Sequence, residues 1–96
     1  MIEREYTRNE SLTINGTSLT IAEARDRQVL YIKNTSAAAQ SITIVYGDRV
    51  AVAGAGIVLA AGEFTIDSSD SGYTCFQGQI QAISSAAGGT IAIMER

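Results

Sequence analysis

The acidic residues between positions 63 and 70 are the first candidates for metal binding or acid–base catalysis. The segment DSSDSG, from Asp67 to Gly72, spaces its oxygen ligands as the beginning of a calcium-binding loop does. It lacks the closing bidentate glutamate, which Asp48 or Glu63 would have to supply, so we favour a polar hairpin loop and leave ion binding open. Glu63, Asp67 and Asp70 are also the carboxylates available for glycoside hydrolysis. A flexible turn is a poor place for the buried acid of raised pKa that this reaction needs.

Other catalytic and cofactor-binding groups are scarce. The 96 residues contain no histidine, which argues against Ser-His and Cys-His catalysis, ordinary zinc sites and haem ligation by histidine. Cys75 lies between Thr74 and Phe76 in a predicted strand, far from any basic residue in sequence, so we expect an inert, buried thiol. The glycines around Ala55 lack the third glycine and the helix of a dinucleotide-binding motif. We therefore expect no enzymatic activity, no catalytic residue, no cofactor and no metal site.

Runs of alternating polar and apolar residues dominate the rest of the sequence. Isoleucine, valine and threonine supply 26 of the 96 residues, and these β-branched side chains favour strands. The spacing of the runs predicts an all-β fold of nine or ten short strands, arranged as a sandwich or a barrel. The predicted strands are residues 11–14, 17–21, 29–32, 41–46, 49–52, 57–59, 64–66, 73–76, 79–83 and 90–94.

Several local features make this prediction specific. Asn15-Gly16 favours a type I′ turn, which would pair the two flanking strands as a hairpin. The continuous apolar run from Val29 to Ile32 predicts a central, fully covered strand. Residues 21–28 read as a charged connection rather than a helix, and a β-bulge is expected near Ala82.

Charge is sparse and unevenly distributed. Seven basic and ten acidic residues give a net charge of −3, which argues against nucleic-acid binding. Residues 34–47, 50–62 and 71–94 carry no charge, and no apolar run approaches the length of about 20 that a membrane-spanning helix needs. A small domain cannot bury all of these positions, and the cores of interfaces are poor in charge. We therefore expect a permanent assembly; the alternative is a monomer whose surface is rich in serine and threonine.

The first ten residues differ in kind from the rest. Half of them are charged, which predicts an N-terminal arm over residues 1–10 and a single β-sandwich domain over residues 11–96. The arm could wrap a neighbouring subunit or form a solvated terminus. Tyrosines could stack on sugars, but those within strands favour packing. The candidate interface residues are Ile2, Arg4, Tyr6, Arg8, Tyr46 and Tyr73.

The segment from Arg27 to Arg96 resembles small virion proteins of tailed bacteriophages. The similarity lies in RQVLYIKN from Arg27, GIVLAAGE from Gly56, and the final strands from Gly78 and Gly89, although Ala61 stands where these proteins often have proline. The resemblance implies an antiparallel, jelly-roll-like β-sandwich that assembles into a homodimer or a homotrimer. It also implies a capsid decoration (cement) or head-fibre protein on the capsid exterior, made in the host cytoplasm, which binds the major capsid protein. The alternative is a phage tail or fibre module that recognises a host glycan. A third possibility is a free-standing calcium- or ligand-binding domain.

Overall fold

The computed structural model describes residues 8–37, 39–70 and 72–96, which form eight β-strands and no helix. All strand pairs are antiparallel, and the strands make two sheets of four. The fold is therefore an all-β sandwich, as predicted. The strands are β1 Arg8–Ile14, β2 Leu19–Ala22, β3 Val29–Asn34, β4 Ile42–Tyr46, β5 Ile57–Leu59, β6 Phe64–Ser68, β7 Ile80–Ser84 and β8 Gly89–Glu95.

Sheet A has the strand order β1-β8-β3-β6, and sheet B has the order β2-β7-β4-β5. Alternate residues of each sheet point into the space between the sheets, as in β8, where every second residue from Gly89 to Glu95 is buried. The core consists mainly of fully buried isoleucines, each of which contributes about 1.5–3 kcal/mol by burial. These are Ile14, Ile21, Ile32, Ile42, Ile44, Ile80, Ile91 and Ile93.

Two of the ten predicted strands are absent from the described residues. Residues 49–52 form a loop in which Ala51 is buried and donates its N–H to Ser18 Oγ, while Val50 stays 76% exposed. Residues 73–76 form irregular backbone, since the N–H groups of Cys75 and Phe76 bond to side chains rather than to a strand. In both segments, backbone N–H groups donate to side-chain oxygens instead of to the carbonyl groups of a neighbouring strand.

The predicted hairpin at Asn15-Gly16 is wrong. β1 pairs with β8 and β2 pairs with β7, so this turn carries the chain from sheet A to sheet B. Gly16 lacks the positive φ that a type I′ turn requires. The crossing is stabilised by the Asn15 carbonyl, which accepts a hydrogen bond from the N–H of Ser84. It lets Ile14 and Ile21 enter the core from opposite sheets.

Three further sequence-based expectations are resolved by the strand order. β3 is a central strand, between β8 and β6, but only its inward side chains are fully buried. The bulge lies in β2, where the register shifts between Thr20 and Ala22, and not in β7. β1 begins at Arg8, inside the predicted arm, because Arg8 already pairs with Glu95. None of the described residues forms a helix long and apolar enough to cross a membrane.

Candidate functional site

Arg8 is the one candidate interface residue of the N-terminal arm that the structure describes; Ile2, Arg4 and Tyr6 lie outside the described residues. Its guanidinium donates to Glu95 Oε2 at 2.6 Å and to the carbonyl of Ile21 at 2.8 Å. It also bonds Glu10, and this contact is the main reason that the pKa of Arg8 is raised and that of Glu10 lowered. Arg8 therefore joins the two sheets within the chain.

Arg27 and Glu95 form a buried ion pair that the sequence analysis did not anticipate. Arg27 Nη2 lies 2.9 Å from Glu95 Oε1, and the two side chains are 0% and 2% exposed. Arg27 also donates to the carbonyls of Glu23, Phe76 and Gly78. The available signal was the alternation of β8, which places Glu95 on the inward side with the isoleucines. This cluster therefore connects β8 to the loops that precede β3 and β7 at one end of the sandwich.

Tyr46 and Tyr73 do not form a shared open patch. Tyr46 points inward and stacks on Phe76 with ring centroids 4.8 Å apart, and burial raises its pKa to about 12. The ring of Tyr73 is exposed, but its hydroxyl donates to Asp67 Oδ1 at 2.6 Å, and this bond raises the pKa of Tyr73. Tyr31 lies elsewhere, on the outer side of sheet A. The three described tyrosines thus occupy three separate environments.

Asp67 is buried in β6, contrary to the expectation of an acid in a flexible turn. Its two carboxylate oxygens accept hydrogen bonds from the Tyr73 hydroxyl and from the N–H of Phe76. These bonds order the loop that follows β6 rather than presenting a ligand. Within the described ranges, no three residues among histidine, cysteine, aspartate and glutamate cluster as a metal site. Ser71, within the loop for which ion binding was left open, lies outside them.

Cys75 is buried, as the sequence predicts, although not within a strand. Its thiol donates to the backbone carbonyl of Asp67 at 3.3 Å. Burial is the main cause that raises the pKa of Cys75, and a raised pKa reduces the thiolate form that nucleophilic chemistry requires. The residue therefore packs in the core beside Asp67.

The outer face of sheet A is an exposed surface that is poor in charge. The strand register and the two-residue period place twelve side chains there, and only Lys33 among them is charged. All twelve keep some exposure. They are Asn9, Ser11, Thr13, Val29, Tyr31, Lys33, Phe64, Ile66, Ser68, Thr90, Ala92 and Met94.

The β6 side of this face is apolar. Phe64 and Ile66 are 57% and 58% exposed, and Met94, Tyr31 and Ile66 lie side by side across three strands. The rings of Tyr31 and Phe64 are 5.4 Å apart and tilted by 35°. Large side chains gathered on one exposed face are typical of a protein-binding surface. The sequence showed the alternation but not which strands would be neighbours.

Lys33 lies between Ala92 and Phe64 on this face. It forms no ion pair with any residue in the described part of the chain. A partner that covered the face would have to satisfy this ammonium group, because an unpaired buried charge is costly. The surface therefore fits an apolar partner that carries a carboxylate opposite Lys33.

The described chain also has two grooves, of which the larger touches this face only at Val29. The larger, of about 1040 Å³, is lined by charged groups at the end of the sandwich, including Arg25, Arg27 and Arg96 together with Asp26 and Glu95. The smaller, of about 390 Å³, is apolar and lies between β4, the start of β5 and the loop that contains Val50 and Val52. The larger groove contains the buried Arg27–Glu95 pair, so its wall belongs to the structural cluster described above.

No family model matches this chain, and comparisons with curated proteins and with solved structures find no significant match.

Proposed function

We propose that this chain is a non-enzymatic virion structural protein that binds a bacteriophage capsid shell and stabilises it. The observation that carries the proposal is the outer face of sheet A, where twelve outward positions include a single charged residue. Interface cores are depleted in charge and enriched in aromatic residues and methionine. The resemblance of Arg27 to Arg96 to small phage virion proteins supports the same class. The major capsid protein is the proposed occupant of the face, on the capsid exterior.

The size of the face supports attachment in many copies. Four strands about 4.8 Å apart and about six residues long cover about 400 Å². A standard stable interface takes about 800 Å² from each partner, so one such contact is weak by itself. A symmetric shell offers many equivalent sites, and coupling between bound copies multiplies the effect. Each bound copy would stabilise the shell by mass action, since it binds the assembled form.

The fold that we propose for this role is the jelly roll. Its support is the strand order, in which β1 lies beside β8 and β3 beside β6 in one sheet, while β2 lies beside β7 and β4 beside β5 in the other. Eight strands in two sheets, in which every consecutive pair except β4 and β5 crosses between the sheets, are typical of the jelly rolls found in viral capsid domains. This arrangement leaves the outer face of sheet A free for a partner.

The test uses purified protein and undecorated capsid shells. We expect the protein to co-sediment with the shells and to raise their melting temperature. Ala92→Lys places a second cation at the centre of the outer face and should weaken binding by at least about tenfold, the effect of about 1.4 kcal/mol. Val50→Lys, at an exposed position outside the face, should bind as the wild type does.

Two results would overturn the proposal. One is the absence of any binding or melting shift with the wild-type protein. The other is equal binding by the Ala92→Lys and Val50→Lys variants, which would exclude the outer face as the contact. A glycan array separates the alternative function, since sugar binding that Phe64→Ala abolishes, without affinity for shells, would favour a tail or fibre module.

A further inference from the structure

The free edge of sheet A at β6 is open for pairing. The N–H of Asn34 donates to the carbonyl of Glu63, and the N–H of Ser69 donates to the carbonyl of Gln28, so the odd-numbered residues of this segment face β3. Because antiparallel strands alternate their hydrogen-bonding direction, Phe64, Ile66 and Ser68 direct their backbone groups away from the sheet. No described residue bonds to those outward groups.

The other three sheet edges carry features that hinder pairing. β2 has four residues and a bulge, and β5 has three residues. β1 carries Arg8 and the exposed Glu10 along its edge. Short strands, bulges and charges are the usual protection of an edge. β6 has five residues in regular register, and its single charge, Asp67, points inward and is bonded to Tyr73 and Phe76.

We propose that β6 pairs antiparallel with β6 of a second copy of this chain, about a twofold axis through Ile66. The two sheets A would then form one continuous sheet of eight strands, joined by about six backbone hydrogen bonds. Ile66 would lie opposite the partner's Ile66, and Phe64 opposite the partner's Ser68, which leaves space for the ring. A second copy is the occupant that matches, because an edge that pairs about a twofold axis must complement itself.

The charges select this register over the neighbouring one. With the axis at Ile66, Glu63 lies opposite the partner's Ser69, and no like charges face each other across the junction. With the axis at Thr65, Glu63 would lie opposite the partner's Asp67. Like charges directly opposite each other destabilise a strand pair, so the axis at Ile66 is favoured.

The pairing stands independently of capsid binding, and it would enlarge the surface proposed for that function. The outer faces of the two copies become continuous, so that each dimer presents about 800 Å², the size of one side of a standard interface. The strand pairing is tested without shells, so its failure and the failure of shell binding are separate results.

Disulfide cross-linking tests the register directly. In a hydrogen-bonded antiparallel pair, opposing Cα atoms are about 5.5 Å apart, within the range of about 4.4–6.8 Å that a disulfide spans. Ile66→Cys should therefore give a covalent dimer in oxidising solution. Phe64→Cys is the matched control, since the two new cysteines would lie four residues apart along the junction, about 13 Å, and should not cross-link. The native Cys75 is buried and serves both variants as a common background.

The native mass gives the second measurement. Light scattering of the wild-type protein at high micromolar concentration should give twice the chain mass of 10.1 kDa. Ile66→Pro removes an N–H that points away from β3, so the sheet should keep its own hydrogen bonds, while self-association weakens by at least about tenfold. A wild-type monomer, a trimer, or cross-linking of Phe64→Cys as efficient as that of Ile66→Cys would overturn the proposal. If Ile66→Pro does not fold, the cysteine pair decides the outcome alone.

Discussion

The two edge strands of sheet A, β1 and β6, differ in the side chains that they expose to solvent. Along β1 the outward side chains are Asn9, Ser11 and Thr13, and Arg8 is tied to Glu95 and to sheet B. Along β6 the outward side chains include Phe64 and Ile66, both more than half exposed. The same sheet therefore has one polar edge that can stay exposed to solvent. Its other edge is apolar, and covering it would lower the free energy.

Each edge also depends on a buried carboxylate at its inner side. Glu95 neutralises Arg8 and Arg27 beside β1, whereas Asp67 within β6 accepts bonds from neutral donors. A carboxylate held between two arginines is harder to replace than one held by a hydroxyl and an amide. Substitutions of Glu95 and Asp67 test whether the two buried carboxylates contribute differently to the free energy of unfolding.

The largest effect is expected for Glu95→Gln. This change leaves the buried Arg27 without its counter-charge and leaves Arg8 with the exposed Glu10 alone. Removal of one partner from a buried ion pair costs about 3–5 kcal/mol. Urea unfolding followed by circular dichroism should show this loss in the free energy of unfolding. Glu10→Gln changes the exposed partner of Arg8 and should alter it by less than about 0.5 kcal/mol. Equal effects of the two substitutions would show that the buried cluster does not support β1.

The equivalent change at the other edge is Asp67→Asn. An amide can still accept from either Tyr73 or Phe76 but not from both, so we expect a loss of about 1–3 kcal/mol in the free energy of unfolding. The same urea titration measures it, with Asp48→Asn as a surface control. A loss as large as that of Glu95→Gln would remove the contrast between the two carboxylates.

The ionisation of Tyr46 should make the free energy of unfolding depend on pH in the alkaline range. The pKa of Tyr46 is raised from 10 to about 12, chiefly by burial, so the unfolded chain releases this proton first as the pH rises. Stability contributed by the neutral hydroxyl is therefore present below pH 10 and lost between pH 10 and 12. We expect a decline of about 1 kcal/mol after allowance for solvent screening.

The control for this pH dependence is a pair of phenylalanine variants. Tyr46→Phe should flatten the decline in the free energy of unfolding above pH 10, because the titrating hydroxyl is removed. Tyr31→Phe, on the outer face of sheet A, should keep the same decline in the free energy of unfolding above pH 10 as the wild type. If both variants keep the same profile as the wild type, the stacked ring is not the source of the decline.

The smallest effect on stability is expected when β1 is given the outer side chains of β6. Ser11→Phe together with Thr13→Ile should change the free energy of unfolding by less than about 0.5 kcal/mol, since both positions are exposed. Self-association measured by light scattering should nevertheless increase with concentration, because the edge loses its polar character. A variant as monodisperse as the wild type would show that Arg8 and Glu10 protect β1 without help from its outer face.

Much of the fold followed from local patterns. The runs of β-branched residues with a two-residue period predicted the all-β class, and the two sheets of four strands confirm it. The pairing at Asn15 was wrong, because a turn signal describes four residues and carries no information on which distant strand a chain segment joins. The bulge was placed on β7 rather than on its neighbour β2 for the same reason.

The candidate site shows the same division. Uncharged stretches indicated that part of the surface would be poor in charge, and the outer face of sheet A has this property. The named candidates Arg8, Tyr46 and Tyr73 each bond or stack within the chain, and their place in an interface stays a prediction. Phe64 and Ile66 were not chosen because a two-residue period separates two faces without indicating which one is covered.

What the sequence determined by itself was the two-residue period of its strands and the scarcity of charge, since both are properties of residues close together in the chain. Only the tertiary structure decided that β6 is an edge, that Lys33 stands alone on its face, and that Arg27 meets Glu95 across 68 positions. These outcomes depend on which strands become neighbours. That choice is made by contacts distant in sequence, whose combined free energy no local pattern encodes.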